Sequence, residues 1–369
     1  MLTKFNVPTQ PYLCTTTNMA VTGPIKNDTQ SSTLPNKSTE YDSDSVDSDT
    51  DEPEYIIPSL TELEATLLDD SQPISKRTRT IFLLKQIDTN DAIDILIKGL
   101  ISPSVLLAHE IAYVMGQMNN SYCIPALLHT LHNRTLDPIV RHEAVEALGN
   151  IGNSDTITVL ESVINDSTEC NEVVDTAKIS IDKIKYTINY RANAFKLSMQ
   201  QSTVPLSKYS SVDPAPPYND ITDIQKLQQI LCNRECTLFE RYRAMFTLRN
   251  IGTEQAVNAL VAGFDSEPIN TGSAVFRHEI AYVLGQLAHP SAQHALVTVL
   301  SRSTEHAMTR HEAAEALGAI SGDGHDTEHI DSVLKEYLND KDTVVKESCA
   351  VALDISEYWR SDQFDTAVQ

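Results

Sequence analysis

The sequence is poor in glycine, with 12 in 369 residues. It contains neither GxGxxG nor GxxxxGK(S/T), so no glycine-rich loop is present to cradle a nucleotide's phosphates. Basic residues are also scarce: 28 Lys and Arg stand against 51 Asp and Glu, a formal net charge of −23. Phosphate recognition needs surplus Lys and Arg, which excludes nucleic acid as a general partner. Adhesion to anionic membranes is excluded for the same reason. No apolar run approaches the ~18 residues of a membrane span, and the N-terminus shows no apolar signal segment. The six cysteines, at 14, 123, 170, 232, 236 and 349, form no CxxC, and Cys232 and Cys236 lack a second pair for a thiolate zinc site. Free thiols in a reducing, cytoplasmic setting are the expectation. What the acidic excess does suit is a cationic partner or metal ions.

Residues 1–58 are rich in Thr, Ser, Asn, Pro and Asp and have few large apolar side chains, a composition that predicts a disordered extension. Glu40 to Glu54 alone holds eight acids and no Lys or Arg. From Ser59 onward, segments such as LTELEATLL, TRTIFLLKQI and AVEALGNIG place apolar residues at three- and four-residue spacing. Short polar punctuation separates them, which predicts antiparallel helix pairs. The pattern is duplicated. HEIAYVMGQ (109–117) recurs as HEIAYVLGQ (278–286), and RHEAVEALG (141–149) as RHEAAEALG (310–318). Without gaps, 109–150 and 278–319 are identical at 20 of 42 positions. Within each half a unit recurs after 33 residues (142 − 109 and 311 − 278). Helix-pair repeats near this period stack into α-solenoids. The expectation is therefore an all-α solenoid with two pseudo-symmetric, four-repeat halves at 59–185 and 223–369. Residues 186–222, with Pro205, Pro214, Pro216 and Pro217, read as a flexible linker that lets the halves face one another.

The dipeptide His-Glu stands at 109–110, 142–143, 278–279 and 311–312, the same place in both inner units of both halves. Adjacent helical residues are about 100° apart, so a His and its following Glu can flank one point. Packed helices lie ~8–10 Å apart, so two facing halves would bring four His and four Glu to one cleft. Imidazoles and carboxylates suit divalent Fe, Mn or Zn, and four carboxylates balance two divalent ions. Burying so many ionisable groups without a cation is costly. Neither HExxH nor the Glu-x-x-His of bundle di-iron proteins occurs, so the scaffold differs from the ferritin-like one. Glu146 and Glu315 sit one turn beyond His142 and His311, placed for a cationic substrate group or for contacts that support the ligands. Arg141 and Arg310, just before the second pair of each half, suit structural salt bridges. A non-catalytic scaffold, with the pairs structural or binding a single zinc, is the alternative.

The duplicated HEIAYV(M/L)GQ and RHEAxEALG motifs, arranged as two four-repeat halves around a variable linker, resemble the deoxyhypusine hydroxylase family over roughly residues 59–357. The resemblance implies HEAT-like repeats around a non-haem di-iron centre. It implies a monooxygenase that hydroxylates deoxyhypusine on a translation factor to hypusine, using O2 and an external two-electron reductant. Carried over, the ligands of two Fe(II) ions are His109, Glu110, His142, Glu143, His278, Glu279, His311 and Glu312. Substrate contacts fall on Gly116, Glu146, Gly285, Met308 and Glu315, and the first-half counterpart of Met308 is Ile139. The acidic extension is not part of the resemblance.

Overall fold

The computed structural model describes residues 58–197 and 207–360. The disordered extension expected over 1–58 lies, apart from Pro58, outside them. The described residues form sixteen α-helices and no strand, so the all-α reading holds.

The helices come in antiparallel pairs. The first half is α1 (Leu60–Leu68) with α2 (Ile74–Ile87), α3 (Asn90–Gly99) with α4 (Val105–Met118), α5 (Ile124–His132) with α6 (Pro138–Ile151), and α7 (Ile157–Ile164) with α8 (Asn171–Leu197). The second half is α9 (Ile224–Cys232) with α10 (Leu238–Ile251), α11 (Glu254–Ser266) with α12 (Ala274–Leu287), α13 (Gln293–Ser301) with α14 (Ala307–Gly322), and α15 (Thr327–Glu336) with α16 (Thr343–Arg360). The second helix of each pair stacks on that of the next, giving an inner layer α2–α4–α6–α8 and its counterpart α10–α12–α14–α16. The halves also meet: α8 packs on α10 and α12, and α16 on α2 and α4. Ser104 donates its hydroxyl to Glu347 at 2.7 Å across the second of these junctions.

Local chemistry sets the boundaries. Ser104 and Ser273 cap α4 and α12 by accepting from Leu107 and Phe276 backbone N–H. Asp137 caps α6, with Pro138 supplying the preset φ of a first helical turn. The central inner helices are buried on every face, α4 from Leu106 to Gly116 and α14 from Met308 to Ser321. An element surrounded on all sides belongs in an interior layer. Small residues let these layers close up: a Cβ on Gly149 would meet Ser180 Cα at 2.9 Å, and one on Gly318 would meet Ala352 Cα at 2.8 Å.

A buried arginine braces several pairs. The Nε atoms of Arg77, Arg141, Arg241 and Arg310 each donate to the carbonyl ten residues upstream, at 2.7–2.9 Å. Arg141 also grips Glu169 through both terminal nitrogens at 2.8 and 2.6 Å, and Arg310 grips Asp340. The bridging role read for Arg141 and Arg310 thus has a second part, the capping of the preceding helix.

One boundary differs from the composition-based reading. The helix α8 continues through residue 186, where the linker was expected to begin. Beyond it, residues 207–218 pack on the body, with Ala215 fully buried. Proline and serine composition predicts loss of helix, yet within the described residues α8 runs on to Leu197.

Candidate metal centre

Each His-Glu pair stands at the fifth and sixth residues of an inner helix: α4, α6, α12 and α14. That common register follows from the common cap positions, and it aims four imidazoles at one point. Ring centroids lie 5.6 Å apart for His109 and His142, 5.8 Å for His109 and His278, and 5.1 Å for His109 and His311. His278 is 5.4 Å from both His142 and His311. All eight residues of the pairs are buried.

Carboxylates cross between neighbouring repeats in the same way in both halves. His109 Nε2 is 3.2 Å from Glu143 Oε2, and its pseudo-symmetric counterpart His278 Nε2 is 3.3 Å from Glu312 Oε2. His109 Nδ1 lies 3.3 Å from Glu110 Oε1. Two sets of ligand atoms converge within 4.8 Å: His109 with His278 and His311, and His109 with His142 and Glu143. His109 belongs to both.

The donors fit divalent metal on this structure's own terms. His142 Nδ1, Glu143 Oε1 and Glu279 Oε1 are buried and accept or donate no hydrogen bond. Buried polar atoms left in that condition are costly, and a cation at their centre would satisfy them. Imidazole with carboxylate and no thiolate is the set that suits iron, manganese or zinc.

The electrostatics report the same crowding. Burial pushes the Glu279 carboxyl well above its usual range, with Glu146 and Glu143 adding to it. Burial, then Glu143, lifts Glu146 to about 8. Burial opposes charge on His109, yet hydrogen bonds and attraction from Glu110 and Glu143 raise it to about 10. His142 is pushed well below the usual value by burial and by the other three rings.

Glu146 and Glu315 do not share one environment. Glu146 lines a small pocket with His109, Glu143, His278 and Glu279. Glu315 is fully buried, accepts the Ser348 hydroxyl at 2.9 Å and lies 3.6 Å from His311 Nδ1. Gly116 sits where α4 meets α6, since a Cβ there would lie 2.8 Å from Ala147 Cα. Gly285 and Met308 are buried in α12 and α14. None of Gly116, Gly285, Met308 and Glu315 is among the pocket's lining residues.

Other groups join the site that charge and ligand chemistry did not single out. Tyr113 and Tyr282 meet hydroxyl to hydroxyl at 3.0 Å, one from each half, and also line the pocket. Their signal was present, because both occupy the Tyr of the duplicated HEIAYV motif. Lys183 is buried beside Glu146 and bonds Asn150 Oδ1, and burial lowers it to about 8. It has no counterpart in the duplicated motifs, so nothing in the sequence marked it.

Comparison with known proteins follows the same lines. A family model of HEAT repeats matches residues 93–179 and 266–354, and one of the PBS lyase HEAT-like repeat matches 240–266. Rat deoxyhypusine hydroxylase is 41% identical over 302 residues, covering 82% of this chain and 93% of the rat protein. The Candida albicans deoxyhypusine hydroxylase is 38% identical, covering 84% of this chain and 96% of that one. Among solved structures, human deoxyhypusine hydroxylase in complex with glycerol superposes with a TM-score of 0.71 at 38% identity, covering 81% of this chain and 96% of the human one.

Proposed function

The chain belongs to the deoxyhypusine hydroxylase family, and from that premise we propose that its buried His-Glu cluster holds two iron(II) ions. Like its relatives it is an oxidoreductase that hydroxylates deoxyhypusine. The side chain acted on is carried by a translation factor, O2 is the co-substrate, and an external donor supplies two electrons. The observation that carries the metal reading is the set of buried donor atoms on His142, Glu143 and Glu279 that find no hydrogen-bond partner.

Bound iron would supply activation of O2 for insertion of an oxygen atom into a substrate C–H bond. The protein's own residues do the rest. His109, His142, His278 and His311 would hold the ions, with Glu110, Glu143, Glu279 and Glu312 neutralising their charge. His109, common to both converging sets, would be needed by either of them. Glu146, facing the pocket, would pair with a protonated nitrogen of the substrate arm. Glu315, engaged by Ser348, would hold His311 in orientation. Gly116 would let α4 and α6 pack closely, and Gly285 and Met308, buried in α12 and α14, would line the path of the substrate arm. The surrounding apolar helices exclude water.

Five described cysteines are free, which supports a reducing compartment such as the cytoplasm. No described helix is long and apolar enough to cross a membrane. Two repeat halves, 59–185 and 223–369, joined by a connector and preceded by the acidic extension 1–58, are the proposed domains.

The deciding experiment is iron stoichiometry joined to a hydroxylation assay. Two irons per chain, and hydroxylation of a deoxyhypusine-bearing protein under air with reductant, are expected. A chain that takes up no iron and either no metal or one zinc, as the scaffold alternative implies, would overturn the metal reading.

A further inference from the structure

The metal pocket has one lining element that is not a helix. Val212 and Pro214, from the connector between the halves, complete the lining that α4, α6 and α12 begin. The free space in this partly open pocket, about 10 Å³, is room for a single water. A lysine extended by an aminobutyl chain cannot occupy it, so some part of the wall has to yield. The helices are poor candidates: Gly116 and Gly149 bring the backbones of α4 and α6 close to those of α6 and α8, and α12 is packed along α14. Ser211, Val212 and Asp213 are partly buried, the Asp213 side chain keeping 13% of its surface in contact with solvent, while Pro214 beside them is buried.

This segment is held by polar contacts from both halves. Gln117 and Gln286, the last residues of the duplicated HEIAYV(M/L)GQ motif, both reach it. Gln117 accepts from Val212 N–H at 2.7 Å and donates to its carbonyl at 3.2 Å, and Gln286 donates to Ser211 Oγ at 3.0 Å. Arg249 grips the Asp213 carboxylate at 2.8 and 2.6 Å, and Lys183 donates to the Asp213 carbonyl at 2.6 Å. Two symmetry-related glutamines thus converge on one segment that is itself not duplicated.

We propose that Ser211–Pro214 is a strap across the substrate site, the movable wall through which the deoxyhypusine arm reaches the His-Glu cluster, with Asp213 and Arg249 as its latch. Asp213 is a positioning residue in this reaction. Polar pins can open singly without disturbing the apolar core beneath, which is the property a movable wall needs. The proposal rests on the activity inferred above and adds the route of entry.

The test uses the full iron-loaded chain. Asp213→Asn removes the carboxylate that Arg249 grips and keeps the carbonyl for Lys183. Hydrogen exchange at the Val212 amide should accelerate roughly ten-fold, with α4 and α12 amides unchanged. The KM for a deoxyhypusine-bearing protein should fall roughly five-fold, because a substrate that binds only the open form gains apparent affinity as that form is populated. A wall that merely held the arm would move KM the other way. A KM that rises or stays level at wild-type iron content therefore overturns the strap. Should Asp213→Asn not fold, Ser211→Ala, which removes the hydroxyl that Gln286 and Arg249 reach, carries the same two readouts. If the wild-type chain holds no iron, the metal reading fails separately. Val212 exchange then decides alone, and exchange as slow as that of α4 rules the strap out.

Discussion

His109 is the side chain on which both converging ligand sets depend. His109→Ala should therefore lower bound iron from two per chain toward none. His142→Ala should spare the set formed by His109, His278 and His311 and leave about one. Iron assay beside circular dichroism checks this; equal loss in both variants with helicity retained would sink the sharing of His109. Arg141 belongs to the frame instead. Its guanidinium satisfies the Leu131 carbonyl and both Glu169 oxygens in a nearly buried setting. Removing one partner of such a pair strands the other, so Arg141→Ala should cost about 3–5 kcal/mol in urea unfolding. The four His-Glu pairs were legible because two rare chemistries recur at fixed spacing. Asp213, Arg249 and Lys183 were not, because a single charged residue in an acidic chain carries no pattern, and their meaning arises only where the connector crosses the pocket.

The inner helices show why periodicity found the elements but not their neighbours. Apolar spacing predicted helix pairs and short polar punctuation separated them, since both signals are local. Burial on every side of α4 and α14 was not local: Arg, His and Glu in those segments read as a polar face until the second layer covers them. Gly116 illustrates the difference. Family resemblance placed it at the substrate, while the structure places it between α4 and α6, where an added Cβ would lie 2.8 Å from Ala147 Cα and 2.9 Å from its Cβ. Both atoms belong to a rigid helix and cannot swing away. Gly116→Ala should thus destabilise by about 1–3 kcal/mol through overpacking. Denaturant midpoints of the metal-free protein test it; unchanged stability with a raised KM would return Gly116 to a role in binding substrate.

At the scale of the molecule, the duplication forecast two facing halves, but only the structure shows α8 and α16 joining them at either side of the cluster. The formal −23 is spread unevenly, and the acids that matter chemically are those forced together at this junction. Their crowding has a consequence for stability. In the metal-free chain, burial and Glu143 hold Glu146 protonated up to about 8, while the unfolded chain releases that proton near the ordinary carboxylate value. Glu279 is displaced in the same direction. The folded state then binds more protons than the unfolded one, so stability falls as pH rises through this range. His109, raised to about 10 against the opposition of burial, contributes stability that is complete below its ordinary 6.5 and is lost on the way to 10. His142, shifted below 6.5, acts in the opposite sense only at lower pH, and Lys183, lowered to about 8, only above that value. Between pH 6.5 and 8 the raised groups act together, and the melting temperature of the metal-free protein should fall. Metal binding requires His109 and Glu279 deprotonated, so its affinity increases over this window. The rise in melting temperature on iron(II) loading should accordingly be larger at pH 8 than at pH 6.5. Calorimetry of metal-free and loaded protein under argon at both values measures it. A metal-free melting temperature that climbs with pH would mean that the carboxylates of the cluster are ionised in the folded chain without a cation to hold them.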